Sequence, residues 1–211
     1  MQPSQRLYDT GGNEVCLFPL EYMYVSNTEH HLLAIDFLGW DANGRVYDCP
    51  CYAPFSGRVV YTGNDHNMIY WSTNPVRCAD GTLTNLSVLV AHSNTSPPLV
   101  GSVMTQGDLW YHTGNYGLST GDHLHMEFAK GHVTWDYSGQ WLDNPAHMYN
   151  ITCVNDTVIV DGEGYDWRTY DAPQPIEETG SNKFPWHLVS RRLRDKRTNV
   201  WHLFFFMVFI I

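Results

Sequence analysis

Lysine and glutamate are scarce in this 211-residue chain, only 16% of it is charged, and few windows keep helical periodicity over three turns. Long amphipathic surface helices are therefore excluded as its main building element. No internal repeat is present, which sets repeat arrays aside. Clustered basic charge is missing from most of the length: up to residue 180 there are six Lys or Arg against 21 Asp or Glu. Phosphate binding needs clustered Lys and Arg, so nucleic acid is excluded as a partner of this acidic body. The remaining stretch reverses the balance, six against one, and is expected to be a solvated tail with at most weak membrane contact. Cys16, Cys49, Cys51, Cys78 and Cys153 lack zinc-finger spacing. Cys49 and Cys51 are too close to bridge comfortably, so a disulfide would join one of them to Cys78; the alternative is buried free thiols. No signal peptide is visible in the first twenty residues. The apolar run Trp201 to Ile211 falls well short of the roughly 20 residues that a spanning helix needs.

What the chain does have is aromatic residues, 14% of the total, and turn-forming Gly, Asn and Asp throughout. That mixture suits many short strands. Leu33 to Leu38, Gly57 to Thr62, Met68 to Ser72, Leu86 to Ala91, His123 to Phe128 and Thr157 to Val160 read as strands. Turn chemistry separates them, as in Gly39-Trp-Asp-Ala-Asn-Gly44 and Gly114-Asn-Tyr-Gly117. The clearest helical candidate is Phe184 to Lys196. The expected fold is mainly β, with antiparallel sheets forming an open sandwich or half-barrel, few helices and a C-terminal helix. One domain over 1–165, a Pro-containing linker over 166–182 and a basic, then apolar tail over 183–211 are expected. A domain of roughly 150 residues buries about 70% of its unfolded surface and needs no staple.

The chemistry gathers at Gly121-Asp-His-Leu-His-Met-Glu-Phe128. In a strand the period of two sends His123 and His125 to one face and Leu124, Met126 and Phe128 to the other. Paired imidazoles backed by apolar residues can share a metal, although two packed or surface histidines are the commoner outcome of such a pattern. Asp36 strengthens the case, because a carboxylate inside Leu33-Ala-Ile-Asp-Phe-Leu38 is costly without a partner. His31 lies five residues earlier, an odd spacing, so it must enter from a loop or bulge to share a site with Asp36. Two imidazoles, a carboxylate and one open position make a catalytic zinc set, here His31, Asp36 and His125. His92 ends the run Leu86-Ser-Val-Leu-Val-Ala-His92 where a strand meets a polar loop. His66, His132, His147, His187 and His202 show no partners in the sequence. No Ser/His/Asp or Cys/His arrangement competes, and the glycines from Gly114 to Gly121 form no phosphate loop.

At these residues the chain resembles the lysostaphin-like and LytM-like zinc endopeptidases. The resemblance is carried by His31 with Ala34-Ile-Asp-Phe37, by Ala53-Pro-Phe-Ser-Gly-Arg-Val59, by Val90-Ala-His92 and by Gly114-Asn-Tyr-Gly-Leu-Ser-Thr-Gly-Asp-His-Leu-His-Met-Glu127. It covers roughly residues 15 to 155 in the family's order. It implies a duplicated hybrid β motif, one Zn2+ per chain on His31, Asp36 and His125, and catalytic roles for His92 and His123, either of which could be the general base. It also implies hydrolysis of stem-peptide or cross-bridge amides in bacterial peptidoglycan by a lysin of phage type. Such an enzyme acts on the extracellular wall and, without a signal peptide, travels with the virion or is released by lysis. The chain departs from the family in enclosing four residues, not three, between His31 and Asp36; His30 is the alternate ligand. Trp110, Tyr111 and Tyr116 are candidates for lining a substrate groove, with aromatic packing under a loop as the other reading. The rival functions are a non-catalytic wall-binding or activator protein on the same scaffold, and a virion component whose zinc only stiffens the fold.

Overall fold

The computed structural model describes residues 1–20, 22–31, 34–41, 43–134, 148–149, 154, 159–160, 192–194 and 201–203, with backbone alone at 23, 25–31, 159–160, 192–194 and 201–203. The chain divides into two compact units, Met1–Glu178 and Thr179–Ile211. Among the described residues there are sixteen strands and no helix. The domain boundary expected near residue 165, and its linker, lie outside the described residues.

In the first unit, β1 (Met23–His31) and β2 (Ala34–Asp41) pair antiparallel, and β3 (Gly44–Arg45) folds back on β2. After β4 (Pro50–Tyr52) comes the hairpin of β5 (Gly57–Thr62) and β6 (Met68–Ser72). The short pair β7 (Val76–Arg77) and β8 (Leu83–Thr84) precedes β9 (Leu86–Ala91). Then follow β10 (Val103–Met104), β11 (Leu109–His112), β12 (Leu124–Lys130), β13 (Met148–Tyr149) and β14 (Ile159–Val160). The main sheet, a curled half-barrel, runs β10-β5-β6-β9-β12-β2-β1-β14, with β13 also on β12. Its pairs are antiparallel except β1 with β14. β11 and β4 form a separate ribbon.

The β-branched and aromatic runs that predict Gly57–Thr62, Met68–Ser72 and Leu86–Ala91 give the observed bounds of β5, β6 and β9. On β12 the period of two sorts the faces. Leu124, Met126 and Phe128 are fully buried in the main core with Phe37, Tyr70, Val88, Val90 and Trp110. Each large apolar side chain so buried contributes about 1.5–3 kcal/mol. Ala129 joins Ile69 and Leu89 in a smaller cluster, on the face that His125 and Glu127 share by the same period of two.

Two expectations are corrected. Within the expected helix Phe184 to Lys196, the described residues Arg192–Arg194 form β15, antiparallel to β16 (Trp201–Leu203) in the second unit. Arg-Leu-Arg satisfies a period of two as readily as a helical stripe, and short runs cannot separate the two. The rest of that segment lies outside the described residues. The cysteine bridge is also absent. Neither Cys49 nor Cys51 is bridged to Cys78; the three place Sγ near local carbonyls, those of Pro50, Cys49 and Val76 respectively. Burial pushes the Cys49 thiol up to about 11 and Cys51 well above its ordinary value, so neither is a thiolate nucleophile at neutral pH. No helix among the described residues is long and apolar enough to cross a membrane.

Candidate active site

β12 lies between β9 and β2 in the sheet, and all three strands bring a polar group to one place. His125 is in register with Asp36 on β2 and with Ala91 on β9, and cross-strand partners share a face. His125 Nδ1 accordingly lies 2.9 Å from Asp36 Oδ1. His123, just before β12, brings Nε2 to 3.6 Å from the same oxygen. His92, one residue beyond β9, sets its ring centroid 4.6 Å from that of His123 and 6.1 Å from that of His125. His92 and His125 are buried, and Asp36 and His123 nearly so.

His92 has a φ of 80°, a left-handed conformation that costs a non-glycine residue on the order of 1–3 kcal/mol. Contacts with the 114–117 loop hold it there: Tyr116 N donates to the His92 carbonyl at 3.0 Å, and His92 Nδ1 to the Tyr116 carbonyl at 2.9 Å. His123 Nδ1 likewise lies 2.8 Å from the Gly121 carbonyl, with Ser119 Oγ at 3.3 Å. A carbonyl only accepts, so each of these histidines carries its proton on Nδ1 and exposes a basic Nε2 when neutral. His125 is the reverse case. Its Nε2 lies 2.9 Å from Oε1 of Glu127, which is 1% exposed.

The charges follow from this packing. Burial opposes ionisation of Asp36, but the His125 hydrogen bond and the surrounding histidines outweigh it and hold the carboxyl below its ordinary value. Burial dominates at His92 and lowers its pKa, against the pull of the Tyr116 carbonyl. At His125 burial is overcome by the bonds to Asp36 and Glu127, so its pKa is raised. A metal at Nδ1 would therefore displace a proton.

Of the expected groups, Asp36, His92, His123 and His125 are brought together. The His31 backbone ends β1, opposite Ala34 across the hairpin. His31 thus stands on the strand before Asp36's own, after a register irregularity between Asn27 and His31; its side chain, like that of His30, lies outside the described residues. Trp110 and Tyr111 are core residues, 2% and 3% exposed. Both pack in the main core, where the register of β11 on β4 is irregular between Leu109 and Tyr111, so their rings are not open to a substrate groove. Tyr116 is 43% exposed and stacks on His66 with ring centroids 4.0 Å apart.

The sequence reading missed three supporting residues. Asp122 accepts from Thr113 Oγ1 at 2.7 Å and from the Asp48 amide at 3.0 Å, anchoring the approach to His123. Gly114 exchanges backbone hydrogen bonds with His123. Glu127 was legible in principle: it extends the 123/125 alternation, and a carboxylate between Met126 and Phe128 needs a partner.

Fold and site together define a mainly antiparallel β protein with three histidines and an aspartate converging on one face of its sheet. No family model matches the chain. Morphogenesis protein 1 of Bacillus phage B103 is 31% identical over 175 residues, which is 76% of this chain and 46% of that protein. The chain thus spans about half the length of this relative. Among solved structures, the chain resembles the catalytic domain of the antimicrobial peptidase lysostaphin from Staphylococcus simulans (20% identity, 62% of this chain and 83% of that one, TM-score 0.35). It also resembles a mutant catalytic domain of the prophage-encoded protein EnpA from Enterococcus faecalis (15%, 64% and 87%, TM-score 0.39). A zinc-containing peptidase from Vibrio cholerae is similar as well (16%, 59% and 40%, TM-score 0.39).

Proposed function

We propose that this chain is a zinc-dependent endopeptidase that hydrolyses amide bonds in the stem peptides or cross-bridges of bacterial peptidoglycan. The observation that carries the reading is the meeting of Asp36 Oδ1 with His125 Nδ1 at 2.9 Å and His123 Nε2 at 3.6 Å, from strands far apart in sequence. The substrate class rests on the motif blocks that resemble lysostaphin-like enzymes. The phage relative supports a lysin carried by a virion or released by lysis, acting on the wall.

Carboxylate oxygen and imidazole nitrogen are the donor chemistry of zinc, and Asp36 and His125 offer both. Among the described residues no three His, Cys, Asp or Glu side chains form a metal-holding group. The proposed third ligand is His31, whose strand ends beside Ala34. Bound there, zinc would supply a Lewis acid and a water of pKa near about 7. His123 takes the proton of the attacking water at Nε2 and returns it to the leaving amine. His92 stays neutral because its pKa is lowered, and accepts a hydrogen bond from the same water. With Nδ1 committed to the Tyr116 carbonyl, His92 steadies an oxyanion only once it is protonated at Nε2.

The test separates metal ligands from the histidines that face the water. Asp36→Ala and His125→Ala should lose zinc, measured as metal content after dialysis. His92→Ala and His123→Ala should keep zinc and slow hydrolysis by about 100- to 10,000-fold, followed by mass spectrometry of fragments released from purified walls. Equal zinc content in all four variants refutes this division, and intact walls with fully loaded wild type refute the enzyme.

A further inference from the structure

We infer that Glu127 is a positioning residue: it keeps the His125 proton on Nε2, so that Nδ1 is presented as a metal donor. This rests on the reading that His125 is a ligand. The geometry that leads here is local. Glu127 is two residues past His125 on β12, so the strand period puts both side chains on one face. Oε1 then lies 2.9 Å from Nε2, on the far side of the ring from Asp36.

The sheet register sets this carboxylate beside apolar neighbours. Its cross-strand partners are Ala34 on β2 and Leu89 on β9, and Leu89 and Ala129 belong to the second apolar cluster. An apolar side chain would pack at such a site, and replacing a buried ionic group by one is often neutral or stabilising. A carboxylate at 1% exposure is instead costly to desolvate unless it is hydrogen-bonded. What it supplies in return is a tautomer. His92 and His123 are oriented by backbone carbonyls at Nδ1; His125 is oriented by an acid at Nε2. The polarity of the three rings is thus set by which nitrogen is occupied, and only His125 is left with Nδ1 facing Asp36. A carboxylate partner also makes the opposite ring nitrogen a stronger donor than a neutral acceptor would.

The experiment compares wild type, Glu127→Gln and Glu127→Ala by zinc affinity in competition with a chromogenic chelator. Imidazole 15N NMR of the zinc-loaded and zinc-free proteins reports the tautomer. Zinc affinity should fall by about 10- to 100-fold in Glu127→Ala. Glu127→Gln should fall between it and wild type, because its amide carbonyl still accepts from Nε2–H but lacks the charge. In wild type and Glu127→Gln the zinc-loaded spectrum should show the proton on Nε2; zinc-free Glu127→Ala at alkaline pH should show mixed tautomers. A merely structural Glu127 would change unfolding but leave affinity and tautomer alone. Wild-type affinity in both variants, or a zinc-loaded wild type with no proton on His125 Nε2, overturns the inference while leaving the metal reading in place. If wild type takes up no zinc, the metal reading itself fails and this inference falls with it. Should Glu127→Ala not fold, Glu127→Gln decides: unchanged affinity overturns the proposal.

Discussion

A single methyl group at Gly114 should damage both the stability of the protein and the reach of His92 and His123. A Cβ there would stand 2.3 Å from the His92 carbonyl oxygen, 2.4 Å from the Asn94 nitrogen and 2.8 Å from the Ser93 carbonyl carbon. All three are backbone atoms, so no rotamer change relieves the contact. Non-bonded atoms prefer roughly 3.5–4.0 Å, and Gly114→Ala therefore forces a shift on the order of 1 Å between the 92–94 segment and the strand end carrying His123. Overpacking of this kind costs about 1–3 kcal/mol, a fall in melting temperature of about 2–12 °C for a chain of this size. Misplacement by about 1 Å costs on the order of 100-fold in turnover. Thermal unfolding followed by circular dichroism and fragment release from purified walls measure the two effects. Zinc content should hold, because His125 and Asp36 are set by their own cross-strand register, which does not run through Gly114. If Gly114→Ala matches wild type in melting and turnover, the close approach described here is wrong.

Three further outcomes follow from the same geometry. In the metal-free protein His125 should titrate above, and His92 below, the ordinary value of 6.5. His125 then stabilises the fold fully below that pH and loses its contribution as pH rises through its raised value. His92 contributes above that pH, and its contribution is lost as pH falls through its depressed value. NMR titration of the ring protons checks both, and a His92 midpoint above 6.5 contradicts the burial argument. His66→Ala removes the ring stacked on Tyr116, whose carbonyl holds His92. A ring contact of about 0.5–1.5 kcal/mol predicts a severalfold lower kcat at unchanged zinc content, and a change in KM alone would speak against it. Tyr70→Phe deletes a buried hydroxyl that donates to the Phe55 carbonyl at 3.1 Å and lies 3.3 Å from that of Met104. About 1–3 kcal/mol should be lost in denaturant unfolding, with little change in m; full retention would show the carbonyls to be satisfied otherwise.

The strands with alternating or continuous apolar runs were legible because burial on one or both sheet faces imprints itself on the sequence. So was the pair His123 and His125, since their spacing equals the strand period, and so was Asp36, a charge in an apolar run. β1 was not. Met-Tyr-Val-Ser-Asn-Thr-Glu-His-His turns polar along its length and follows neither template, which hid the hairpin that brings His31 alongside Ala34. Gly114 looked like turn chemistry, yet its φ is not positive; it is glycine because another backbone passes close, and no local pattern reports that. Trp110 and Tyr111 looked like groove lining because they precede the histidine strand, and both rings are instead buried in the main core. The tautomers of His92 and His123 depend on carbonyl positions, which no side-chain letter encodes.

The ladders on both edges of β12 bear on how this protein wears out. Interior strands exchange their amides only when the whole domain opens, whereas margins such as β10 and β14 can fray at far lower free energy. The histidine–aspartate cluster is seated on and beside three interior strands, so peeling of the rim leaves it assembled. Under rising denaturant, the cluster and the fold should vanish in one step, and slow deuterium uptake at Leu124 to Phe128 would mark the site as the last part of the molecule to let go.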